Sequence, residues 1–263
     1  MVNAQTASLE NIMLQGRQSI PPDADALIFP GNTTDLTKRE AGMVRTFWEE
    51  QSGGLFILLD PAADTPNLNS ILRENGVLPN RDRVLTVRSI PGLGYSKIYH
   101  APVTIMPGFG PNRDLPVMAL QLMDRTQSLE ILSGDELYLS RNIRPYPLML
   151  ADQSFWGETE FGAEEVSFNP DYDNGQPDPV YTAAAIEKSP QQAGDSRRET
   201  SRLVVVGNPN LISPDGNTQK TASDFCMASL NWIMNRDELL GIAPKQPASY
   251  NLFIASATFG LLQ

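Results

Sequence analysis

Residues 55–61 read LFILLDP, and residues 202–208 read RLVVVGN. Both runs are apolar at every central position and end in residues that are typical of turns. A strand with one wet face alternates apolar and polar residues, whereas a continuously apolar strand suits a layer covered on both sides. The two runs therefore predict neighbouring strands at the centre of a parallel sheet that carries helices on each face.

A helix is predicted just before the first run. Thr37 and Glu40 have the spacing of a capping box, in which each side chain satisfies the other residue's backbone N–H. Gly53 and Gly54 suit a left-handed exit from the helix. The apolar residues fall on one helical face: Met43, Val44, Phe47 and Trp48.

A second helix is predicted after the first run, with Thr65 as its cap and Pro66 at its first position. Short strands at residues 25–29 and 83–88 would complete a β-α-β-α-β series, which implies right-handed crossovers and parallel strands. A further helix is expected from Ser223 and a last strand at 251–256. The predicted fold class is thus α/β, with a mainly parallel sheet flanked by helices.

The middle of the chain has a different character, with dense Gly and Pro and short apolar runs. The runs at 103–106, 117–122, 129–132, 137–139 and 180–187 predict strands. Residues 152–179 are acidic without a basic residue, which indicates a solvated loop. We therefore predict an α/β core from residues 1–88 and 200–263, with an antiparallel, β-rich insertion at 89–199 packed on the same domain.

Composition excludes several classes of function. The net charge of −11 argues against a surface for nucleic acid or anionic lipid. With one cysteine and one histidine, the chain has no intrachain disulfide and lacks most His/Cys metal sites. No run reaches the roughly 18 apolar residues of a membrane helix. We expect no cofactor, no metal and no catalytic residues.

Each candidate catalytic, metal-binding or cofactor-binding motif also has a simpler structural interpretation. Cys226 lies inside a helical pattern without the glycines of a nucleophile elbow, and His100 stands near a strand start. Residues 171–175 (DYDNG) are similar to a calcium loop, but the glycine comes one place early and Thr182 stands at the twelfth position. Residues 92–94 lack the third glycine of a dinucleotide site.

A ligand of an open parallel sheet binds beyond the carboxyl ends of the strands. Three polar residues follow predicted strands there: Asn32, Asp60 and Asn208. Asn and Asp also end strands for purely structural reasons. These three residues are therefore the binding candidates, without an assigned ligand.

An ordered set of motifs resembles the GldG-like auxiliary components of gliding-motility-type ABC transporters. It opens with IPPDADALI at 20–28 and continues through most of the chain. The matching stretches are 37–59, 66–69 with 76–77, 146–148 with 154–158, 178–185, 201–208 and 225–245.

This resemblance implies a Rossmann-like or class-I-glutamine-amidotransferase-like sandwich, similar to a domain shared with an intraflagellar transport protein, without the amidotransferase catalytic set. It implies the soluble, extracytoplasmic (periplasmic) part of an accessory subunit whose partners are the permease and ATPase. Membrane attachment would come from segments absent from this chain, which we expect to be a fragment or excised domain.

Two other functions stay open at the level of sequence. A degenerate or active hydrolase or amidotransferase would need Cys226 or another nucleophile at a strand-to-helix turn, close to a base. A small-molecule or sugar-binding domain would need a deep pocket lined by aromatic side chains, for which Trp156 and Tyr172 are the candidates.

Overall fold

The fold is described from a computed structural model that covers residues 9–92, 94–190, 200–212 and 220–234. The strand predicted at 251–256 lies outside these described residues. Twelve strands are defined in them: β1 Ala26–Pro30, β2 Gly54–Leu58, β3 Val77–Pro79, β4 Arg83–Ile90, β5 Gly94–Ile98, β6 Ala101–Ile105, β7 Met118–Leu122, β8 Leu129–Ile131, β9 Ile143–Ala151, β10 Trp156–Glu158, β11 Tyr181–Lys188 and β12 Ser201–Val206. The α-helices in the same residues are α1 Lys38–Glu50, α2 Pro66–Arg73, α3 Glu136–Leu139 and α4 Lys220–Ile233, and short 3-10 helices span Gly110–Asn112 and Pro209–Ile212.

The main sheet is mixed and strand-rich, so the predicted mainly parallel, Rossmann-like sheet is wrong. Its order is β1-β2-β12-β11-β9-β6-β7, and β3 and β8 join beside β11. Among the strands of the described ranges, only the β1–β2 and β2–β12 pairs are parallel. Every other strand pair of the sheet is antiparallel.

The pairing of the two apolar runs is confirmed. In the β2–β12 ladder, Leu55 pairs with Leu203 and Leu58 pairs with Val206. All five residues of β2 are buried. The predicted parallel direction does not continue beyond β12. The next strand in the sheet, β11, runs antiparallel to β12, so parallel pairing ends there.

The strand predicted at 83–88 forms, but not as the third parallel strand. It is β4, which pairs antiparallel with β5 and β10 in a separate three-stranded sheet. The chain after α2 instead makes β3, which pairs antiparallel with β8. The parallel series therefore stops after its first crossover, β1-α1-β2.

Two apolar layers bury the two faces of the main sheet. Leu55, Ile57 and Val205 face the layer that contains α1 and α2. Phe56 and Val206 face the layer that contains α4. The helical side chains that complete these layers are Val44, Phe47, Trp48, Ile71 and Leu72 on one face and Ala222, Phe225, Trp232 and Ile233 on the other.

Helix α1 begins with the predicted capping box. The Glu40 N–H donates to Thr37 Oγ1 over 3.2 Å, and the Thr37 N–H donates to Glu40 Oε2 over 2.8 Å. The exit differs from the prediction, because Ser52 (φ 55°) is the left-handed residue. Gly53 is required for another reason, since the Phe47 ring occupies the space of a Cβ there.

Helix α2 takes its cap from a distant residue. Thr65 precedes the helix but makes no capping hydrogen bond through its side chain. Asp35 instead accepts from the backbone N–H of Asn67 over 3.0 Å and of Leu68 over 3.2 Å. These two bonds tie the loop before α1 to the start of α2.

The middle segment supplies β6, β7, β8, β9 and β11 to the same sheet as β1, β2 and β12. The strand predicted at 137–139 is instead part of the short helix α3. Asp135 caps that helix by accepting from the Leu137 N–H over 2.8 Å. Among the described residues, no helix has the length and apolar character needed to cross a membrane.

Candidate functional site at the strand ends

The three parallel strands bring their carboxyl ends to one edge of the sheet. Leu58 of β2 pairs with Pro30 of β1 on one side and Val206 of β12 on the other. The three candidate residues of the sequence follow these strand ends, so the structure places them along the same edge. Residues 123–128 lie against this edge, and we call them the covering segment.

Asn208 binds the covering segment through the nitrogen of its side-chain amide. Its Nδ2 donates to Thr126 Oγ1 over 2.8 Å and to the Met123 carbonyl over 3.1 Å. Its Oδ1 accepts from the Asn210 N–H over 2.8 Å. Asn208 and Thr126 are both fully buried, so the amide is committed to holding the loop.

Asp60 forms an ion pair with the same segment. Its Oδ2 lies 2.7 Å from Nη1 of Arg125, and its Oδ1 accepts from the Ala62 N–H over 2.9 Å. The Asp60 side chain is 2% exposed and that of Arg125 is 38% exposed. The carboxylate is thus buried and paired, while the guanidinium reaches solvent.

Asn32 is the most open of the three candidates and is half-buried. It follows Gly31, whose φ of 75° is the left-handed conformation that favours glycine. A Cβ on Gly31 would come within 2.6 Å of the Pro209 Cβ. The turns after β1 and β12 therefore pack directly on each other.

Backbone bonds complete the closure of the edge. The Gln127 N–H donates to the Gly207 carbonyl over 2.7 Å, and the Val84 N–H donates to the Thr126 carbonyl over 2.8 Å. The covering segment thereby joins the strand ends to β4 of the second sheet. Two of the three polar candidates at this edge, Asp60 and Asn208, therefore bind the protein's own chain.

The candidate nucleophile and base do not have catalytic surroundings. Cys226 lies in the middle of α4, half-buried against the apolar layer, and burial raises the pKa of its thiol to about 11. His100 is exposed between β5 and β6. A mid-helix thiol with a raised pKa is a poor nucleophile, because the reactive form is the thiolate.

A shallow hollow lies between α4 and the 3-10 helix Gly110–Asn112. Its volume is about 90 Å³, and its lining includes Pro111, Leu115 and Trp232. Pockets for small organic ligands typically measure about 300–1,000 Å³. The hollow is far below that range, and the aromatic candidates Trp156 and Tyr172 are not part of its lining.

The calcium-like residues 171–175 fold into a turn. Asp173 Oδ1 accepts from the Thr159 N–H and hydroxyl, and its Oδ2 accepts from the Asn169 N–H over 2.9 Å. Across the described ranges, no group of three or more His, Cys, Asp or Glu side chains is arranged to hold a metal ion.

Sequence reasoning missed a buried polar cluster beside the covering segment. Asp82 is 2% exposed and accepts hydrogen bonds from the Ser128 N–H over 2.8 Å and from the Ser128 hydroxyl. Asn80 Nδ2 and Asn174 Nδ2 donate to Ser128 Oγ over 2.8 Å and 3.1 Å. The sequence shows Asp82 only as a charged residue two places before an apolar run. Its partner Ser128 and the further member Asn174 lie 46 and 92 positions away, where no sequence pattern connects them to Asp82.

Comparison with known proteins gives a likeness of fold. No family model matches the sequence, and no curated protein matches it. A solved structure, the mmIFT52 N-terminal domain, superposes with a TM-score of 0.53 at 13% sequence identity. The superposition covers 80% of this chain and 77% of that one. The chain therefore shares its fold with that domain, and this likeness stands against the helix-flanked parallel sheet predicted from the sequence.

Proposed function

We propose that this chain is a non-catalytic binding domain that works through protein–protein contacts. The observation that carries the proposal is the closure of the strand ends by residues 123–128. Asp60 Oδ2 pairs with Arg125, and Asn208 Nδ2 donates to Thr126 and to the Met123 carbonyl. The remaining side-chain oxygen of each residue accepts from its own turn, at Ala62 and Asn210. An enzyme or small-molecule receptor built on this sheet would keep that edge open for its substrate.

The class of partner comes from the sequence resemblance. We propose that the domain belongs to a GldG-like accessory subunit of an ABC transporter and lies on the extracytoplasmic side of the membrane. Its partners are then the permease and ATPase subunits, and its membrane attachment comes from segments outside this chain. The acidic net charge of −11 supports a protein partner over nucleic acid or anionic lipid.

The experiment is affinity purification of the tagged chain from detergent-solubilised membranes of its native host, followed by mass spectrometry. Stoichiometric recovery of a permease and an ATPase is the expected result. A matched arm uses the chain with Asn208→Ala, which loosens the covering segment without touching the outer surface. Recovery of soluble enzymes or substrates only, with neither transporter subunit, would overturn the assignment.

The proposed absence of catalytic activity is tested separately. Cys226→Ser and His100→Ala variants are compared with the parent chain over a panel of ester, amide and glutamine substrates. We expect no turnover above the buffer rate from any of the three proteins. A turnover that disappears in Cys226→Ser, with the circular dichroism spectrum unchanged, would contradict the proposal.

A further inference from the structure

Asn–Gly pairs occur at two places in the sequence, residues 75–76 and 174–175. Such a pair is chemically labile, because glycine has no side chain to hinder the approach of its backbone nitrogen to the asparagine side-chain amide. Each pair follows an acidic residue, Glu74 or Asp173, so the two pairs start from similar local chemistry. The fold places them in different surroundings.

The surroundings of the Asn75–Gly76 pair oppose the reaction. Asn75 is 1% exposed, and its Nδ2 donates to the Ile71 carbonyl over 2.7 Å. The Gly76 N–H, which would supply the attacking nitrogen, donates to the Arg73 carbonyl over 3.3 Å. Both reacting groups are therefore engaged, and the asparagine is shielded from water.

The Asn174–Gly175 pair is more open. Asn174 is half-buried, and residues 176–179 just after the pair are exposed. In the described ranges, the Gly175 N–H donates to no acceptor. Asn174 exchanges backbone hydrogen bonds with Gly157 of β10 over 2.7 and 3.2 Å, and its Nδ2 donates to Ser128 Oγ over 3.1 Å. The attacking nitrogen is thus available, and the leaving nitrogen carries a structural hydrogen bond.

Packing requires glycine at position 175. A Cβ there would lie 2.8 Å from Phe168 Cε2 and 2.9 Å from the Trp156 Cβ. Any larger residue would have to displace an aromatic side chain. The chain therefore cannot protect Asn174 with a bulkier following residue without disturbing this packing.

We propose that Asn174 is a site of spontaneous deamidation, and that the carboxylate formed there detaches the turn at residues 169–175 from Ser128. The Gly175 nitrogen attacks the Asn174 side-chain carbonyl carbon and closes a succinimide ring. The bond from that carbon to Nδ2 breaks, and Nδ2 leaves as ammonia with the proton given up by the Gly175 nitrogen. Water then adds to one ring carbonyl, returns a proton to the ring nitrogen and breaks the bond between them. The products are aspartate or isoaspartate at position 174.

The new carboxylate faces a hydroxyl group that has no proton to give. Ser128 Oγ accepts from Asn80 Nδ2 and Asn174 Nδ2. Its own proton goes to the Asp82 carboxylate. A hydroxyl has one donor and two acceptor sites, so all three are in use. Conversion of Asn174 replaces an N–H donor with a second carboxylate beside the buried Asp82, and the attaching hydrogen bond becomes a repulsive contact.

The first test follows the full chain during incubation at pH 8, with and without urea. Peptide mapping by mass spectrometry measures the conversion rate at each Asn–Gly pair, and each native rate is divided by the rate of the same pair in urea. We expect this quotient to be at least about tenfold larger for Asn174 than for Asn75. Equal quotients, or no native conversion at Asn174, would overturn the proposal.

The second test measures the effect of the carboxylate. Asn174→Asp supplies the charge of the product, and Asn169→Asp is the matched control. Asn169 is exposed, and its Oδ1 accepts from the Asp171 N–H over 3.0 Å, which aspartate does equally well. We expect amide-exchange protection of peptides from 169–175 to fall about tenfold or more in Asn174→Asp and less than about twofold in Asn169→Asp. Equal effects, or unchanged protection in Asn174→Asp, would contradict the detachment.

The exchange is measured at pH 7.5, above the Asp82 pKa of about 6, so that both carboxylates are ionised. If Asn174→Asp does not fold, the aged parent protein takes its place after anion exchange has separated converted from unconverted chains. Lower protection of 169–175 in the converted fraction is then the expected result. Protection equal to that of fresh protein would overturn the detachment.

Discussion

The Nδ2 atom of Asn208 donates a 2.8 Å hydrogen bond to Oγ1 of Thr126, and the two residues are 82 positions apart in the chain. Both are fully buried. This bond fixes the covering segment at the point where β12 ends. A residue that resembles a ligand-binding group in the sequence thus acts as an internal clamp.

Replacing that clamp should destabilise the fold. Asn208→Ala removes three hydrogen bonds and leaves the half-buried Met123 carbonyl with a weaker partner, so we expect a loss of about 2–3 kcal/mol in the free energy of unfolding. Asn210→Ala is the matched control, because its side-chain bond within the described residues is 3.3 Å long. Urea denaturation should show a loss below about 1 kcal/mol for the control. Equal losses in the two variants would refute the clamp.

The Asp60–Arg125 pair should contribute more than a surface ion pair. Arg125→Met leaves the Asp60 carboxylate buried without its cation, and we expect a loss of about 1–3 kcal/mol in unfolding free energy. The comparison is Lys220→Met, which breaks an exposed i,i+4 pair with Asp224 and should cost less than about 0.5 kcal/mol. A double-mutant cycle with Asp60→Asn measures the coupling, and a coupling near zero would show that the pair is not a clamp.

Gly157 should not tolerate a methyl group. The new Cβ would overlap the buried Asp82 carboxyl group, so Gly157→Ala should cost about 1–3 kcal/mol. Gly162, five residues further along the chain, has open space around its Cβ position. Gly162→Ala should therefore change the unfolding free energy by less than about 1 kcal/mol. Thermal unfolding followed by circular dichroism distinguishes the two variants, and similar melting temperatures would contradict the packing.

The stability of the whole protein should carry the signature of Asp82. Its native pKa of about 6 lies above the ordinary 3.8, so its contribution favours folding at low pH and is lost as the pH rises through about 6. The full difference is up to about 3 kcal/mol. Urea midpoints at pH 5, 6 and 7.5 should fall less with pH in Asp82→Asn than in the parent. Parallel pH profiles would exclude this role.

Cys226 should react slowly with thiol reagents. With a pKa of about 11, on the order of one thiol in a thousand is ionised at pH 8. Labelling by Ellman's reagent should therefore be on the order of a hundredfold faster in urea than in the native protein. Equal rates would mean that the helix does not shield the thiol.

The local elements were readable from the sequence, whereas strand direction was not. The capping box of Thr37 and Glu40 depends on neighbours in the chain, and it forms as predicted. The run at 183–186 is apolar and buried on both faces, yet its strand is antiparallel to β12. Burial on both faces reports the layers above and below a strand, and it does not report the direction of the neighbouring strand.

The candidate site, too, was only partly predictable from the sequence. Asn32, Asp60 and Asn208 do lie along one edge, because β1, β2 and β12 are parallel neighbours. Nothing in the sequence indicates that Arg125 and Thr126 reach that edge. These two residues belong to a polar stretch between two apolar strands, which is typical of any surface turn. Their partners Asp60 and Asn208 are more than sixty positions away in the chain.

The pairing of Leu55 with Leu203 also matters during translation, because the partner strand is made 148 residues later. At roughly 5–20 residues per second, the ribosome needs about 7–30 s to deliver it. During that interval one edge of the wholly apolar strand β2 has no hydrogen-bonding partner. An unpaired strand edge of this kind favours misassembly between nascent chains. Overproduction should consequently improve with extra Hsp70-type chaperone, which covers exposed apolar segments until the partner strand is available.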